Sequence, residues 1–450
     1  MINVPQIQPR AYISLITMGC PKNEVDSLSM RKNLENAGFA FIDDVEESDI
    51  AIVNTCSFLQ AAVEENIDLI LEISSLDRFV EHGGKIVVAG CMPSRYGVEL
   101  NDALPEADAF VPCNEENNIV DVVEKLLTGH IKPSKAPFGE SKGISASSML
   151  PPLSEGPASA YIKIADGCNR FCSFCAIPYI RGRFHSFTYE EICADVDDAF
   201  DSGAREMVLI AQDTGIWGSD LSGGRDLAWL VSHLSEDYPE ALFRVMYLEP
   251  DGVTDAYLHA VASHDNVCSY FDIPMQHCVP EVLKAMNRHG SANEFLSLIE
   301  KIRKQVPDAA IRTTIIAGFP GETDAQFSEL LDFIEEAEFD YVGVFAYSQE
   351  DGTRAATLPD QVDEDTKVAR AQAIRDLADS ISTARTANRV GQVLDVLIEG
   401  AEEDGQLFGR AYFQAPEVDG SVYVDSGEIG DIVSVRLIDS LFYELEGEVV

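Results

Sequence analysis

The sequence predicts an α/β protein with three domains: a doubly wound β/α domain, a partial barrel of six β/α repeats, and a small antiparallel β-barrel. Three observations support this prediction. Short β-rich runs alternate with helical patterns over residues 10–127. A second β/α series fills residues 159–385. In residues 386–450, five short strands separated by Gly, Asp and Pro replace the helices.

The amino-terminal domain, residues 10–127, is expected to hold a parallel sheet with crossover helices. Two segments between its strands, 25–37 and 58–75, carry apolar residues at helical spacing. A domain of this size and layering fits one doubly wound sheet. Its predicted strands are 11–17, 49–55, 85–90 and 108–112.

Residues 128–158 are rich in Pro, Ser, Gly and Lys and are expected to form a linker. The central domain follows, and its six repeats predict a partial barrel. Its predicted strands are 161–165, 206–211, 242–248, 267–273, 309–317 and 341–347. A polar helix over 362–389 then leads to a closed β-barrel of the OB kind. The predicted strands of that barrel are 392–399, 406–413, 421–424, 431–438 and 441–445.

The net charge bears on the class of partner. The chain has 77 Asp plus Glu against 32 Lys plus Arg, a formal net charge of −45. Such a surface repels polyanions, so it disfavours generic nucleic-acid binding and favours a basic protein partner. A salty habitat or a solubility bias explains the acidity equally well. Residues 386–450 share the bias, with 14 Asp or Glu against three Arg, so RNA binding is not expected of this domain.

Hydropathy and cysteine content indicate the compartment. No apolar run reaches the roughly 18 residues that cross a bilayer, and the first ten residues lack a signal-peptide pattern. We therefore expect a cytoplasmic protein with no membrane segment. Ten cysteines in a chain of 450 residues are too sparse for a disulfide scaffold. In a reducing compartment, clustered cysteines are more often metal ligands or catalytic groups.

Cys168, Cys172 and Cys175 form a C-x3-C-x2-C run directly after the first strand of the central domain. The carboxyl ends of barrel strands are where such folds carry chemistry. Three thiolates can hold three irons of a cubane cluster and leave the fourth iron open to a small molecule. Zinc is the alternative, but a closed zinc site usually has four ligands, and no fourth Cys or His lies close in sequence.

Three more cysteines occupy equivalent positions in the amino-terminal domain. Cys20 follows its first predicted strand, Cys56 ends the second, and Cys91 follows the third. Taken singly, each is more often a small buried hydrophobe. Because the ends of parallel strands share one edge of a sheet, their common position favours a second cluster with an open iron. Packed thiols are the expectation for the other four cysteines: Cys113, Cys193, Cys268 and Cys278.

The cysteine run on a six-repeat β/α domain resembles the radical S-adenosylmethionine (SAM) superfamily. The resemblance implies a [4Fe–4S] cluster that binds SAM at its open iron and cleaves it to a 5′-deoxyadenosyl radical. Phe174 matches the position whose backbone commonly meets the adenine. Gln212, at the end of the second strand, is a candidate contact to SAM. The alternative is a loop residue whose side chain bonds its own backbone. Residues 318–322, Gly-Phe-Pro-Gly-Glu, resemble a superfamily cofactor motif.

Nearly the whole chain resembles the methylthiotransferases, whose terminal barrel is called the TRAM domain. Residues 18–23, 25–27 and 53–56 look like the amino-terminal signatures of that family. Its members insert sulfur at an unactivated C–H bond and methylate it, using one SAM as methyl donor and another as radical source. The resemblance implies two [4Fe–4S] clusters, one for each cysteine set, together with an electron donor and a sulfur donor.

Local motifs resemble the RimO-like branch, which modifies an aspartate β-carbon of ribosomal protein uS12. Residues 19–23 and 272–277 have the RimO pattern, as do 213–214 and 415–420. The alternatives are a MiaB-like enzyme that methylthiolates a transfer-RNA adenosine, and a non-catalytic iron–sulfur module. No catalytic residue is assigned. Residues 181–183, Arg-Gly-Arg, lie just past the cysteine run and are a candidate to clamp a carboxylate by bidentate hydrogen bonding, with a solvated turn as the alternative.

Overall fold

A computed structural model describes residues 9–129 and 158–450. The described chain divides into two compact units. The first contains residues 9–129 together with 166–169 and 175–187, and the second contains 158–165, 170–174 and 188–450. The predicted linker, apart from its end residues, lies outside the described residues.

The first unit is built on a five-stranded parallel sheet with strand order β2-β1-β3-β4-β5. Four of its strands were predicted. The fifth, β2, is a two-residue edge strand, too short to produce a sequence pattern. The strands are β1 (Tyr12–Thr17), β2 (Ala40–Phe41), β3 (Ile50–Thr55), β4 (Lys85–Gly90) and β5 (Ala109–Pro112).

Apolar cores cover both faces of this sheet, as the doubly wound prediction requires. Ile52 of β3 faces a core that includes Leu34 and Val123, whereas its neighbour Val53 faces a core that includes Ile70. A strand buried on both faces is typical of a parallel sheet. The helices are α1 (Pro21–Asn36), α2 (Gln60–Ser75), α3 (Asp77–Val80), α4 (Cys91–Tyr96), α5 (Leu100–Ala103) and α6 (Ile119–Thr128).

The central domain contains the six predicted parallel strands, in the sequential order of a partial barrel. They form two three-stranded sheets, β6-β9-β10 and β11-β12-β13, and a bridge between Phe243 and Val267 joins β10 to the chain just before β11. The six strands are β6 (Ser159–Lys163), β9 (Glu206–Ile210), β10 (Leu242–Val245), β11 (Tyr270–Asp272), β12 (Ala310–Ala317) and β13 (Tyr341–Ala346). Two further two-residue strands, β7 (Ala165–Asp166) and β8 (His185–Ser186), pair with each other in a sheet of their own.

Helices alternate with these strands, and local caps define their starts. Thr188 and Thr323 each form a reciprocal capping box at the start of a helix. The helices are α7 (Ile177–Ile180), α8 (Tyr189–Asp201), α9 (Leu227–Asp237), α10 (Asp255–Ser263), α11 (Pro280–Ala285), α12 (Ala292–Gln305), α13 (Asp324–Ala337) and α14 (Glu364–Ala387). Across residues 9–129 and 158–450, none of the helices combines the length and apolarity that a membrane span requires.

The chain ends in a closed five-stranded barrel with order β14-β15-β16-β18-β17, which confirms the prediction. The barrel docks onto the amino-terminal ends of the central strands. Arg244 of β10 donates to the Tyr412 carbonyl at 2.7 Å, and Arg312 of β12 donates to Asp419 Oδ1 at 2.5 Å. The strands are β14 (Val393–Ala401), β15 (Leu407–Ala411), β16 (Val422–Val424), β17 (Ile432–Leu441) and β18 (Glu444–Val449).

Candidate active site

The structure places the three amino-terminal cysteines at the carboxyl ends of neighbouring strands. Cys20 caps α1 just after β1, Cys56 follows β3, and Cys91 is the first residue of α4 after β4. Because β1, β3 and β4 are adjacent and parallel, all three cysteines lie along one edge of the sheet.

Two glycines let the backbone close up around these cysteines. Gly19 has φ +100°, and a Cβ there would lie 2.5 Å from the Cys56 Cβ and 3.0 Å from its Sγ. Gly90 has φ +90°, and a Cβ there would collide with Asn54 and lie 2.8 Å from the Thr55 carbonyl oxygen. Only glycine tolerates this combination of dihedral angle and close approach. The loops that carry Cys20 and Cys91 are therefore packed tightly against the end of β3.

Asn23, in the motif after Cys20, ties these loops together. Its Nδ2 donates to the carbonyls of Met18 at 2.9 Å and Thr55 at 3.0 Å. Its Oδ1 accepts from Arg181 Nη2 at 2.7 Å and from the Cys91 thiol at 3.6 Å. One buried amide thus connects the ends of β1 and β3 with Cys91.

Arg181 is a buried cation at this edge. Its guanidinium bonds Asp26 Oδ2 at 2.8 Å and Asp166 Oδ2 at 3.3 Å, and Nη2 lies 3.7 Å from Cys91 Sγ. Burial alone would lower the pKa of Arg181, but Asp26, Cys91 and Asp166 together raise it, so the group stays charged. Arg181 therefore bonds carboxylates, but Nη2 bonds Asp26 and Nη1 bonds Asp166, so neither aspartate is held by both nitrogens, and Arg183 of the same segment is exposed.

Cys113 is a fourth thiol at the same edge, and the sequence analysis missed its contact. It directly follows β5, and its Sγ lies 3.9 Å from Cys91 Sγ. The hydrogen bond to Cys91, reinforced by burial, raises the pKa of Cys113 well above its ordinary value. The signal was present in the sequence, because Cys113 comes immediately after the predicted strand 108–112, as Cys91 comes after 85–90.

The donors at this edge are mainly thiols, and their arrangement bears on the kind of metal group that they fit. Within residues 9–129 and 158–450, no three His, Cys, Asp or Glu side chains converge closely enough to hold one metal ion. A zinc ion needs its sulfurs about 2.3 Å from one centre. The thiolates of a cubane each bind a different iron and therefore stand farther apart. The thiols at this edge come from the ends of neighbouring strands, which is compatible with ligands that each bind a different iron.

In the second unit, a buried guanidinium contacts the middle cysteine of the C-x3-C-x2-C run. Arg288 Nη1 donates to Cys172 Sγ at 3.8 Å and to Glu249 Oε1 at 2.8 Å, and Nη2 donates to the Pro274 carbonyl at 2.7 Å. Burial raises the pKa of the Cys172 thiol, and the positive charge of Arg288 partly offsets that rise. Cys172 therefore has a charged hydrogen-bond donor fixed beside it.

Backbone and ionic contacts hold the segment that carries Cys172 and Phe174. Ser173 N donates to the Met286 carbonyl at 2.9 Å, and Arg170 Nε pairs with Asp213 Oδ2 at 2.6 Å. Phe174, the predicted adenine contact, is half-buried in this segment. In the first unit, Cys168 N donates to the Gly182 carbonyl at 3.2 Å, and Cys175 lies just before α7.

The remaining predicted cofactor contacts lie at the carboxyl edge of the central sheets. Gln212 is half-buried just after β9, and Gly318 follows β12. The buried Glu322 carboxylate accepts from Gly318 N at 3.1 Å and from Arg370 Nη1 at 2.7 Å. His277 Nε2 lies 3.3 Å from Glu322 Oε2, a pairing that the sequence analysis did not anticipate. The glycine motif is therefore braced by a buried carboxylate.

Three other cysteines agree with the expectation of packed thiols. Cys268 and Cys278 are buried, and burial raises the pKa of Cys268 to about 11 and of Cys278 to about 12. Cys193 is half-buried on α8. Thiols held in the protonated form are poor ligands and nucleophiles.

Comparisons with known proteins agree with this arrangement. Residues 12–112 match the uncharacterized protein family UPF0004, residues 162–334 the radical SAM superfamily, and residues 390–450 the TRAM domain. The protein named ribosomal protein uS12 methylthiotransferase RimO from Natranaerobius thermophilus is 39% identical, over 97% of this chain and 98% of its own length. The protein of the same name from Geobacter sulfurreducens is 39% identical with the same coverage. The chain belongs to the RimO family.

RimO-family membership makes the chain a radical SAM methylthiotransferase, and the superfamily implies an iron–sulfur cluster and SAM as cofactors. Solved structures agree on the fold. The methyltransferase TsrM from Kitasatospora setae aligns with TM-score 0.53 and 12% identity, covering 75% of this chain and 72% of its own. The cobalamin-dependent radical enzyme OxsB aligns with TM-score 0.52 and 13% identity, covering 82% and 57%.

Proposed function

We propose that this RimO-family enzyme replaces a hydrogen on the β-carbon of an aspartate in ribosomal protein uS12 with a methylthio group. The observation that carries the proposal is the 39% identity to RimO over 97% of the chain, which spans every part of the candidate site. A ribosomal protein is a cytoplasmic substrate, so we place the reaction in the cytoplasm. We assign three domains to the enzyme. They are the amino-terminal domain (residues 10–127), the radical SAM domain (159–385) and the TRAM domain (386–450).

We assign one [4Fe–4S] cluster to Cys168, Cys172 and Cys175, with Phe174 and Gln212 at the bound SAM. The spacing of the three cysteines and the charged donor at Cys172 support this assignment. A second [4Fe–4S] cluster is assigned to Cys20, Cys56 and Cys91. Their common sheet edge and the two tightly packed glycines support it.

When bound, the clusters and SAM would supply the radical that removes hydrogen, the methyl group of the product and a place for the sulfur to bind. The residues of the chain position these groups and exclude water. Arg181 and Arg288 each keep a positive charge beside one cysteine sulfur, and hydrogen bonds to ligand sulfurs are a principal determinant of cluster potential. The electron and the sulfur come from external donors.

The acidic terminal barrel supports a basic protein substrate. It docks on the amino-terminal ends of the central strands, whereas Gln212 and Gly318 lie at their carboxyl ends. Its 14 acidic residues would attract a basic protein and repel RNA. We infer that the barrel contacts a part of the substrate other than the modified aspartate.

The proposal is tested by anaerobic incubation of the reconstituted enzyme with SAM, sulfide, reductant, uS12 and bulk transfer RNA in one vessel. Mass spectrometry then searches both substrates for one methylthio group in place of one hydrogen. We expect the modification on an aspartate of uS12, and none when Cys172→Ala enzyme replaces the wild type. Modification of an adenosine instead would assign the enzyme to the transfer-RNA branch. Cluster binding without SAM cleavage would identify a non-catalytic iron–sulfur module.

A further inference from the structure

The carboxyl edge of the amino-terminal sheet carries one thiol more than a three-cysteine cluster site uses. β4 and β5 pair in parallel with Gly90 opposite Pro112, and Cys91 and Cys113 are the residues that directly follow the two strands. Paired strands lie about 4.8 Å apart, and disulfides join Cα atoms that are about 4.4–6.8 Å apart. The backbone register alone therefore suits a disulfide between these two cysteines.

The side chains also face each other. The sulfurs of Cys91 and Cys113 are 3.9 Å apart, so side-chain rotation can close the remaining distance without moving a strand. Ala176 and Ile180 pack with both cysteines in one small apolar cluster, which holds the pair together. Cys113 N donates to Ser94 Oγ at 2.8 Å, which fixes its backbone relative to α4.

We propose that Cys91 and Cys113 are a redox pair that forms a reversible disulfide when Cys91 is not bound to iron. In this step two S–H bonds break and one S–S bond forms. Two electrons and two protons pass to a disulfide oxidant such as glutathione disulfide, which leaves as two thiols.

The disulfide would also affect cluster loading. This consequence rests on the proposed function, in which Cys91 is a ligand. The disulfide removes one of three thiolates, so the second cluster cannot assemble until a thiol reductant opens the bond. It also keeps Cys91 in a recoverable oxidation state, whereas sulfinic and sulfonic acids are not recovered by thiols. Cys113 would then protect an oxygen-sensitive site while it is empty.

Peptide mapping of the wild-type full-length chain tests the pair without any substitution. The cluster-free protein is treated with glutathione disulfide, alkylated and digested with trypsin under non-reducing conditions. Cleavage after Lys85, Arg95 and Lys125 separates the cysteines into peptides 86–95 and 96–125. We expect one linked species, two hydrogens lighter than the sum of its parts, and loss of both alkylated peptides. Dithiothreitol should restore them. Alkylation of both peptides after oxidation, or a link from Cys91 to Cys20 or Cys56, overturns the proposal.

The Cys113→Ser variant distinguishes a disulfide of this pair from general thiol oxidation. Its matched control is Cys268→Ser, which removes a buried thiol outside this edge. Only Cys113→Ser should lose the linked peptide. Iron uptake after oxidation then tests the consequence. The oxidised wild type should bind about half the iron of the reduced protein, one cluster of two, and oxidised Cys113→Ser should bind it all. A linked peptide with full iron uptake would support the pair but contradict the assignment of Cys91 as a ligand.

Discussion

The two cysteine sets of this protein reach comparable environments by different routes. Cys168, Cys172 and Cys175 lie within eight consecutive residues, whereas Cys56 lies 36 positions after Cys20, and Cys91 lies 35 positions after Cys56. Local spacing defines the first set, and sheet topology assembles the second. A motif search can find the first set, but the second is visible only after the strands have been identified.

Each set nevertheless has one sulfur beside a buried guanidinium. Arg181 lies 3.7 Å from Cys91 Sγ and Arg288 lies 3.8 Å from Cys172 Sγ. Arg181 is paired with aspartates, and Arg288 with Glu249. Each set therefore has a fixed positive charge beside one of its sulfurs, however far apart its cysteines are in sequence.

Alanine substitutions at Cys172 and Cys56 are expected to change activity most, and they separate the roles of the two cysteine sets. Cys172→Ala should abolish SAM cleavage, because the radical-generating cluster loses a ligand. Cys56→Ala should still cleave SAM to 5′-deoxyadenosine yet form no methylthiolated uS12. Chromatography of the nucleoside and mass spectrometry of uS12 measure the two outcomes, with Cys193→Ala as a control that retains both. If Cys56→Ala still makes product, the two sets do not differ in the way proposed.

Arg181→Met tests whether the dispersed set depends on its buried cation. The substitution leaves Asp26 buried without its partner, which typically costs about 3–5 kcal/mol of folding free energy. Arg31→Met is the matched control, because it removes an exposed pair with Glu35, worth about 0–1 kcal/mol, and a cation–π contact with Phe41, but no partner of a buried charge. Urea denaturation of the cluster-free chains measures both. Equal stabilities for the two variants would show that the Arg181 network does not hold this edge together.

A third buried ionic network, away from both cysteine sets, makes a pH-dependent prediction. Burial alone would raise the pKa of Glu206, but Arg244 and Arg410 outweigh it and lower the pKa from 4.5 to about 2. This carboxylate therefore stabilises the fold above pH 4.5, and its contribution is lost as the pH falls from 4.5 towards 2. The contribution is on the order of 3 kcal/mol.

The Glu206→Gln variant should lack this pH-dependent contribution to folding stability. Denaturation at pH 7 and at low pH should show a smaller loss of stability for the variant than for the wild type. Glu399→Gln, on the same network but only partly buried, should change the pH dependence less. Identical pH profiles for wild type and Glu206→Gln would contradict the ionic contact between the barrel and the central domain.

Arg288→Lys is expected to change activity least, and it tests the surroundings of the Cys168, Cys172 and Cys175 set. Lysine keeps the charge but cannot bond Glu249 in a fork and reach Cys172 at the same time. Loss of a supporting contact of this kind typically costs about 10–100-fold in activity. SAM cleavage should fall by that factor with unchanged iron content, and the cluster potential should shift in a potentiometric titration. Arg375→Lys, exposed on α14, should leave both unchanged. If the cluster potential does not shift, Arg288 has only a packing role beside Cys172.

Much of the fold was predictable because its elements have strong periodic patterns. The six central strands and the five barrel strands were all found from sequence, with ends that differ by a few residues. The strand β2 was missed because two residues carry no periodicity. The placement of the cysteines after strands was equally visible, since strand ends in a parallel sheet share an edge.

The network around the cysteines was less predictable. Nothing near Arg181 in the sequence indicates Asp26, which is 155 residues away, and the contact arises only in the folded unit. The pairing of His277 with Glu322 has the same origin. Cys113 was set aside because it fits no family pattern, although its position after a predicted strand matched that of Cys91. Side-chain partners across distant segments depend on packing that periodicity does not encode.

In the proposed mechanism, each cysteine set holds its own cluster. The direct measurement is iron and sulfide content, with electron paramagnetic resonance, for the reconstituted wild type and two triple alanine variants. One variant replaces Cys20, Cys56 and Cys91, and the other replaces Cys168, Cys172 and Cys175. We predict that each variant keeps about half of the wild-type iron and one of two distinct signals. Full iron retention by the Cys20, Cys56 and Cys91 variant would contradict the claim.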